Sequence, residues 1–408
     1  MRFLFLAPLL VALPMPAHAQ ALTFNEALAR AAANAPSLRA RLLDVDARRS
    51  AATAAGQLPD PKLGVGLENF PVSGPPAFSY AGDSMTMARL GISQDVPNLA
   101  KRHARTGRAE ADIGASEAQA AAEARRVRVA TALAWIDLAY AERRLAAVDK
   151  ALAELGQYVS PAAASVASGS ARPAQTLEIR QSIATLEDRR SEIASEVARA
   201  RATLARWTGD PNPEIEGALP DFAIDPAALR AAIDHHPDLL AAAARVRTAQ
   251  ADVTVARAEK RPDWSFDVSY GRRADRYGDM VSVGATVTLP LFTKRRQDPM
   301  IASSVALEGA AVAEREDLRR ALAADLETGL ADHVMHHDQW MRARDTLLPL
   351  ARQRADLETA SYSASRASLL DLIQSQSMLV DAALQALDRE AVVARDAVRL
   401  VLTYGGDQ

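Results

Sequence analysis

Three histidines within five residues are the part of this sequence best suited to bind a metal ion. His333 and His337 are four residues apart, so on a helix both imidazoles lie on one face, a spacing that suits zinc. The only carboxylates close by in sequence are Asp332 and Asp338, and the rest of the segment is typical of an exposed helix. We therefore interpret His333, His336 and His337 as solvent-facing or structural residues, and we expect no metal site.

Motifs for enzyme chemistry are absent from the sequence. There is no glycine-rich phosphate loop, no Gly-x-Ser-x-Gly elbow, no His-Glu-x-x-His pair and no cysteine nucleophile. The formal net charge of −3 also argues against a nucleic-acid partner, which would require a basic face. We predict a protein that is not an enzyme and has no cofactor.

The first nineteen residues resemble a signal peptide. Arg2 supplies the positive region, 3–13 the apolar core, and Ala17-His18-Ala19 a cleavage site of small residues, with the cut after Ala19. The chain is therefore expected to be exported. Because it has no cysteine, we expect no disulfide and no lipid anchor.

The rest of the chain repeats one plan twice: a helix, a two-stranded hairpin that stops at a proline, a long helix and a returning helix. We predict a first repeat at 20–207, a linker at 208–226 and a second repeat at 227–408. The matching positions are Asn34-Ala-Pro36 and His236-Pro237, Pro59-Asp60 and Pro262-Asp263, Pro97 and Pro290, and Lys101-Arg102 and Lys294-Arg295.

Long helices dominate both repeats. No proline occurs between Pro97 and Pro161, and a continuous helix of that length would measure about 95 Å. Apolar residues recur every three and four positions, which predicts coiled-coil packing. Clear examples are Leu138, Ala141, Leu145, Val148, Leu152 and Leu155, then Ile179, Ile183, Leu186, Ile193 and Val197 with Arg190 interrupting, and finally Val380, Leu384, Leu387, Ala391, Ala394 and Val398.

Four strands are predicted from strict alternation, at about 62–70, 84–96, 264–271 and 280–289. One face of each strand is apolar, the other is small or polar, and the length suits a strand that crosses an outer membrane at a tilt. A soluble sheet packed on one face would show the same pattern. Four strands cannot close a barrel alone, so a membrane barrel would need strands from several protomers.

One segment carries a specific resemblance. Tyr362-Ser-Ala-Ser365-Arg366-Ala-Ser-Leu-Leu-Asp371-Leu372 is similar to the Tyr-x-x-Gly…Asp-Val-Leu turn of TolC-type outer membrane factors, the exit ducts of tripartite efflux pumps and type I secretion. Val166 to Leu177 looks like its first-half counterpart. The resemblance covers essentially the whole mature chain and is greatest to the heavy-metal branch. It implies a mainly α protein whose homotrimer forms a twelve-stranded barrel, four strands per protomer, continued by a helical coiled-coil tunnel.

The same resemblance assigns a periplasmic gate to this turn. Asp371 would contribute to a ring of carboxylates that attracts cations, while Tyr362 and Arg366 would hold the mouth closed across protomers. Arg172 and Gln175 occupy the corresponding positions in the first half. The alternative is that Asp371 and Arg366 lie on a solvated helix turn and that Tyr362 packs locally.

Two residues depart from the family pattern. Ser365 stands where glycine is usual, which implies a turn built without a positive φ. Gln175 replaces a common acidic residue, so any acidic ring would come from Asp371 alone.

These features predict a passive duct in the outer membrane, with its helical tunnel in the periplasm and no lipid anchor, that exports heavy-metal cations. A periplasmic adaptor and an inner-membrane pump would supply the energy, and outer-membrane lipid would surround the barrel. The same duct could instead serve organic drug efflux or type I protein secretion. A different class of protein, a periplasmic coiled-coil structural protein without a barrel, is the remaining alternative.

Overall fold

The computed structural model describes residues 21–161, 164 and 173–405. The predicted signal peptide, with Ala19 at its cleavage site, lies outside the described residues. The described chain divides into two compact units, each made of segments that are distant in sequence. The helical unit contains the residues up to Ala35, 127–224 and 329–402, and the sheet unit contains 36–126, 225–328 and the residues from Thr403 onward.

Helices account for most of the described residues, and two hairpins interrupt them in the predicted places. In chain order the elements are α1 (Phe24–Asn34), α2 (Pro36–Ala55), β1 (Lys62–Glu68), β2 (Met87–Val96), α3 (Leu99–Gly156), α4 (Pro173–Thr208), α5 (Pro226–Ala232), α6 (Pro237–Ala258), β3 (Asp263–Arg273), β4 (Met280–Thr288), α7 (Gln297–Arg342), α8 (Leu348–Ser363) and α9 (Leu369–Tyr404).

Local sequence signals account for the starts of several helices. The backbone N–H of Thr23 donates to the Glu26 carboxylate at 2.9 Å while Glu26 N donates to Thr23 Oγ1, so both ends of a capping box are present at α1. Asp225 accepts hydrogen bonds from the first turn of α5, where Pro226 is the first helical residue.

The largest buried cluster of the helical unit surrounds Trp135, which is 1% exposed. Its ring packs edge-on against Phe24, with the centroids 5.6 Å apart, and Phe24 packs in turn against Phe222. The indole Nε1 donates a hydrogen bond of 3.1 Å to the carbonyl of Leu22, which also forms a parallel bridge with Ile215. The start of the described chain is thereby held in the core of the helical unit.

The heptad positions of α3, α4 and α9 are largely buried, as their spacing predicts. Arg190, the charged residue that interrupts the α4 pattern, forms an ion pair with Asp149 of α3 at 2.5 Å. Because both side chains are partly exposed, this pair contributes little stability, and the apolar positions hold the helices together. The buried members are Leu138, Ala141, Val148 and Leu155 on α3, Ile179, Leu186, Ile193 and Val197 on α4, and Leu384, Ala391, Ala394 and Val398 on α9.

The four strands form one antiparallel sheet in the order β1-β2-β3-β4, so β1 and β4 are its edges. The register aligns Leu63, Ile92, Val268 and Val283 in one row across the sheet. These four side chains are between 52% and 79% exposed. The apolar faces of all four strands therefore coincide on one uncovered surface.

The opposite face of the sheet is polar or small. The neighbouring row consists of Lys62, Ser93, Asp267 and Gly284. Arg89, on the same face, forms an ion pair with Glu68 and lies 3.8 Å from the Asp267 carboxylate. One sheet thus separates an apolar surface from a charged one.

The second strand begins later than the alternation predicts. We expected it from residue 84, but β2 starts at Met87 and β1 ends at Glu68. Asp83 accepts a hydrogen bond of 2.8 Å from the backbone of Met85, and the Thr86 hydroxyl donates to the carbonyl of Asn69 at 3.0 Å. Side-chain hydrogen bonds therefore hold this stretch in a loop.

In the part of the chain that the structure describes, no helix combines the length and the apolar character needed to cross a membrane.

Candidate functional site

The turn between α8 and α9 has a defined geometry set by its backbone. The N–H of Arg366 donates to the carbonyl of Ser361 at 2.8 Å, and the N–H of Ser365 donates to the carbonyl of Tyr362 at 2.9 Å. This pair of hydrogen bonds is the Schellman motif, in which the residue after the C-cap adopts a left-handed conformation. Ser365 takes that conformation, with φ of 59°. The expectation of a turn without a positive φ was therefore wrong, because the motif needs this conformation even without glycine.

Asp371 is part of the cap at the start of α9. Its carboxylate accepts hydrogen bonds from the backbone N of Ser368 at 3.1 Å and from the Ser368 hydroxyl at 2.6 Å, while Asp371 N donates to that hydroxyl at 3.2 Å. The Ser368 hydrogen bonds lower the pKa of Asp371 from its usual value. The hydrogen bonds with Ser368 thus fix the position of this exposed carboxylate.

Tyr362 packs against apolar residues where the helices α4 and α9 approach this turn. The buried members of the cluster are Ile179, Leu369, Leu372 and Ile373. The Tyr362 ring also meets Tyr158 edge-on, with the centroids 6.5 Å apart. Tyr158 is a residue that the sequence analysis did not select, since its spacing from Tyr362 gives no sign of the contact.

The remaining candidates are placed less completely. Arg366 is exposed, one residue beyond Ser365. Arg172 lies outside the described residues, and so does the side chain of Gln175, whose backbone belongs to α4. The structure therefore brings Tyr362, Arg366 and Asp371 to one turn of the helical unit.

The histidine cluster lies elsewhere in the helical unit, near the end of α7. The rings of His333 and His337 are 6.2 Å apart, whereas His336 contacts a different partner, the Asp396 carboxylate, at 2.7 Å. Burial lowers the pKa of His333. In the described residues, no three His, Cys, Asp or Glu side chains are arranged to hold a metal ion.

Comparisons with known proteins cover nearly the whole chain. The family model described as "Outer membrane efflux protein" matches residues 27–210 and 228–406. The chain belongs to this outer membrane efflux protein family. The family consists of channel proteins and not of enzymes.

This efflux protein is similar to known proteins in sequence and in fold. It is 22% identical to the cobalt-zinc-cadmium resistance protein CzcC of Cupriavidus metallidurans over 371 residues, 90% of this chain and 86% of that protein. It resembles a crystal structure of a membrane protein from Pseudomonas aeruginosa with a TM-score of 0.82 and 20% identity, covering 94% of this chain and 90% of that one. The CmeC outer membrane channel of Campylobacter jejuni gives a TM-score of 0.79 at 13% identity, over 94% and 85% of the two chains.

The left-handed conformation of Ser365 in this efflux protein can be tested by substitution. Replacing Ser365 by glycine should stabilise the α8–α9 turn by roughly 1 kcal/mol, because glycine has no Cβ to disfavour the left-handed conformation. Hydrogen exchange of the Arg366 amide should then be about fivefold slower. Ser363→Gly, in the last regular turn of α8, is the matched control and should speed exchange. Equal acceleration by both changes would contradict the role assigned to Ser365.

Proposed function

We propose that this chain is a passive exit duct in the outer membrane, part of a tripartite efflux system that exports heavy-metal cations. The observation that carries the proposal is the sheet, which exposes a continuous apolar surface on one face and charged residues on the other. An apolar exterior and a polar interior are the two surfaces of a barrel that conducts ions through lipid.

The two open edges of the sheet support a trimer. Unpaired backbone groups in hydrocarbon cost several kcal/mol each, so β1 and β4 need partners once the sheet is in the bilayer. Three copies of the four-stranded sheet supply twelve strands, within the range of known outer-membrane barrels. In this arrangement the long helices form a tunnel in the periplasm.

Heavy-metal cargo is supported by the relation to a protein named for cobalt, zinc and cadmium resistance. Conduction through an open duct requires weak binding, since a tightly held ion leaves slowly. We therefore assign the choice of cargo to an inner-membrane pump. A periplasmic adaptor would join that pump to the helical end of the duct.

The α8–α9 turn is our candidate for the periplasmic gate. Tyr362 is fixed by its apolar cluster, and Asp371 by its cap, so both can present a constant surface to neighbouring copies. Arg366 adds an exposed cation beside them. In the first half, Arg172 and Gln175 would form the matching part of the mouth.

Replacing His333, His336 and His337 together by glutamine should leave metal export unchanged. The three histidines do not share one contact, since the rings of His333 and His337 face each other and His336 contacts Asp396. Glutamine can still donate a hydrogen bond to Asp396 in place of His336. Cobalt, zinc and cadmium resistance should be measured at equal protein levels in the outer membrane. A clear loss of resistance would show that these histidines take part in export.

The cargo itself can be tested in cells that lack the gene. Restoring the chain together with a metal-type inner-membrane pump and its periplasmic adaptor should restore resistance to cobalt, zinc or cadmium salts. Resistance to organic drugs and secretion of proteins should be measured in parallel. Recovery of either of these without metal resistance would overturn the proposed cargo but keep the duct. A protein that is monomeric and soluble without detergent would overturn the duct.

A further inference from the structure

A buried lysine fastens the two hairpins to each other within one chain. Lys101, near the start of α3, is 6% exposed. Its Nζ lies 2.6 Å from the Asp263 carboxylate, at the first residue of β3, and 2.8 Å from the Glu259 carboxylate. Asn98 donates two more hydrogen bonds to Asp263, at 2.8 and 2.9 Å. The segment that leaves β2 is therefore joined to the segment that enters β3.

The internal repeat supplies a second lysine and a second aspartate at equivalent positions. Lys294 follows Pro290 by four residues, just as Lys101 follows Pro97. Asp60 follows a proline and precedes β1, just as Asp263 follows a proline at the entrance to β3.

The hairpin registers confirm that these positions are equivalent. In the first hairpin Lys62 pairs with Ser93, and in the second Ser265 pairs with Thr286. Lys62 and Ser265 each lie two residues after their aspartate, and Ser93 and Thr286 each lie four residues before their proline. The two hairpins thus have the same pairing register when it is counted from their aspartates and prolines.

Within a single chain the second lysine and the second aspartate are left apart. Both Lys294 and Asp60 are exposed, and neither side chain has an ion-pair partner among the described residues. They flank the two edges of the sheet, since Lys294 follows β4 and Asp60 precedes β1. A lysine and an aspartate of opposite charge therefore stand at the two edges that need a neighbour.

We propose that Lys294 of one protomer forms an ion pair with Asp60 of the neighbouring protomer, repeating between copies the contact that Lys101 and Asp263 make within one copy. The inference rests on the proposed trimeric barrel and adds the register of its seams. In the β2–β3 ladder Gln94 pairs with Phe266, and the equivalent β4–β1 ladder opposes Val287 to Leu63 of the neighbouring protomer.

The apolar pattern independently disfavours registers that are shifted by one residue. The same ladder opposes Val283 to Leu67 of the neighbouring protomer, and both belong to the exposed apolar face. A slip of one residue would place apolar side chains opposite polar ones and break the surface that faces lipid.

The seam between copies should be simpler than the junction within a copy. Glu259 and Asn98, which complete the Lys101 network, correspond to Gly56 and Leu291 in the other repeat. Asp60 is then the one carboxylate that the repeat offers to Lys294. Because an exposed pair adds little stability, its role is to select the register and the partner.

The absence of native cysteine makes a clean cross-linking test possible. Asp60→Cys and Lys294→Cys together, treated in membranes with a short bis-maleimide, should give covalent dimers and trimers on denaturing gels. Asp60→Cys with Asp275→Cys is the matched control, because Asp275 is also exposed but lies in the loop at the far end of the second hairpin. That control and each single variant should give monomers only.

The outcomes separate this inference from the proposed function. Trimers by native mass spectrometry that show no cross-link, or a cross-link only within one chain, would overturn the Lys294–Asp60 seam and keep the duct. A protein that forms no trimer in detergent would overturn the proposed function itself. As a second measurement, Lys294→Asp should lower the temperature at which trimers dissociate in detergent, because it places two carboxylates opposite each other at every seam. Lys294→Asp with Asp60→Lys should restore that temperature. Failure of the double change to restore it would also count against the pair.

Discussion

Replacing Val283 by arginine should disfavour insertion into the outer membrane by roughly 2–4 kcal/mol if the residue lies near the midplane of the bilayer. Val283 is 79% exposed on the apolar face of the sheet. A guanidinium at this position would enter hydrocarbon without a partner, whereas valine gains from the same transfer. The measurement is the equilibrium between unfolded and inserted protein in lipid vesicles as denaturant is diluted.

The matched controls lie on the same strand and on the other face. Ser282→Arg lies one residue away at nearly the same depth, and Thr286→Arg lies further along β4, and both side chains belong to the polar face. Both variants should insert almost as well as the parent. Equal effects of Val283→Arg and Ser282→Arg would mean that the two faces of the sheet have the same environment. That result would contradict the proposed barrel.

Opening of the helical end is the second large effect that we expect. The double change Tyr362→Phe and Arg366→Ser should raise the leak conductance of single channels severalfold in planar bilayers. In the proposed gate, the Tyr362 hydroxyl and the Arg366 guanidinium are the groups that would hold the mouth closed across protomers. Phenylalanine preserves the packing on Tyr158 and Leu372, so a change in conductance would reflect the lost polar contacts.

The charge of Asp371 can be tested separately from its role in the cap. Asp371→Ala should reduce the preference for cations, but it also removes the acceptor for Ser368. Asp371→Asn keeps an acceptor for the Ser368 amide and removes the charge alone. Both variants should therefore lose cation preference, while only the alanine variant should loosen the start of α9. Intact trimers with unchanged conductance and selectivity in all these variants would place the gate elsewhere.

The structure of the α8–α9 turn was predicted only in part from the local sequence. The turn between Tyr362 and Leu372 was predicted from its similarity to the family motif. The conformation of Ser365 was not, because a left-handed residue follows from the hydrogen bonds that end α8 and not from serine, which rarely adopts it. The role of Asp371 in the cap had a signal, Ser368-x-x-Asp371, that could have been recognised as a capping box.

The spacing of apolar residues and the residues that cap helices determined the secondary structure of this protein. Alternation by two placed the four strands, spacing by three and four placed the seams of α3, α4 and α9, and Thr23 and Asp225 marked helix starts. These signals are local, since a strand or helix exposes its two faces with a fixed repeat whatever surrounds it.

Partners distant in sequence were decided by the tertiary structure alone. No local pattern indicates that β2 pairs with β3, that Lys101 is buried against Asp263, or that His336 contacts Asp396. Such contacts depend on the path by which the chain returns, and any of several carboxylates could have met each cation. The repeat in the sequence became informative about Lys294 and Asp60 only when the folded chain had shown that Lys101 pairs with Asp263. Opposite charges select a specific partner only once the backbone has fixed which groups are neighbours.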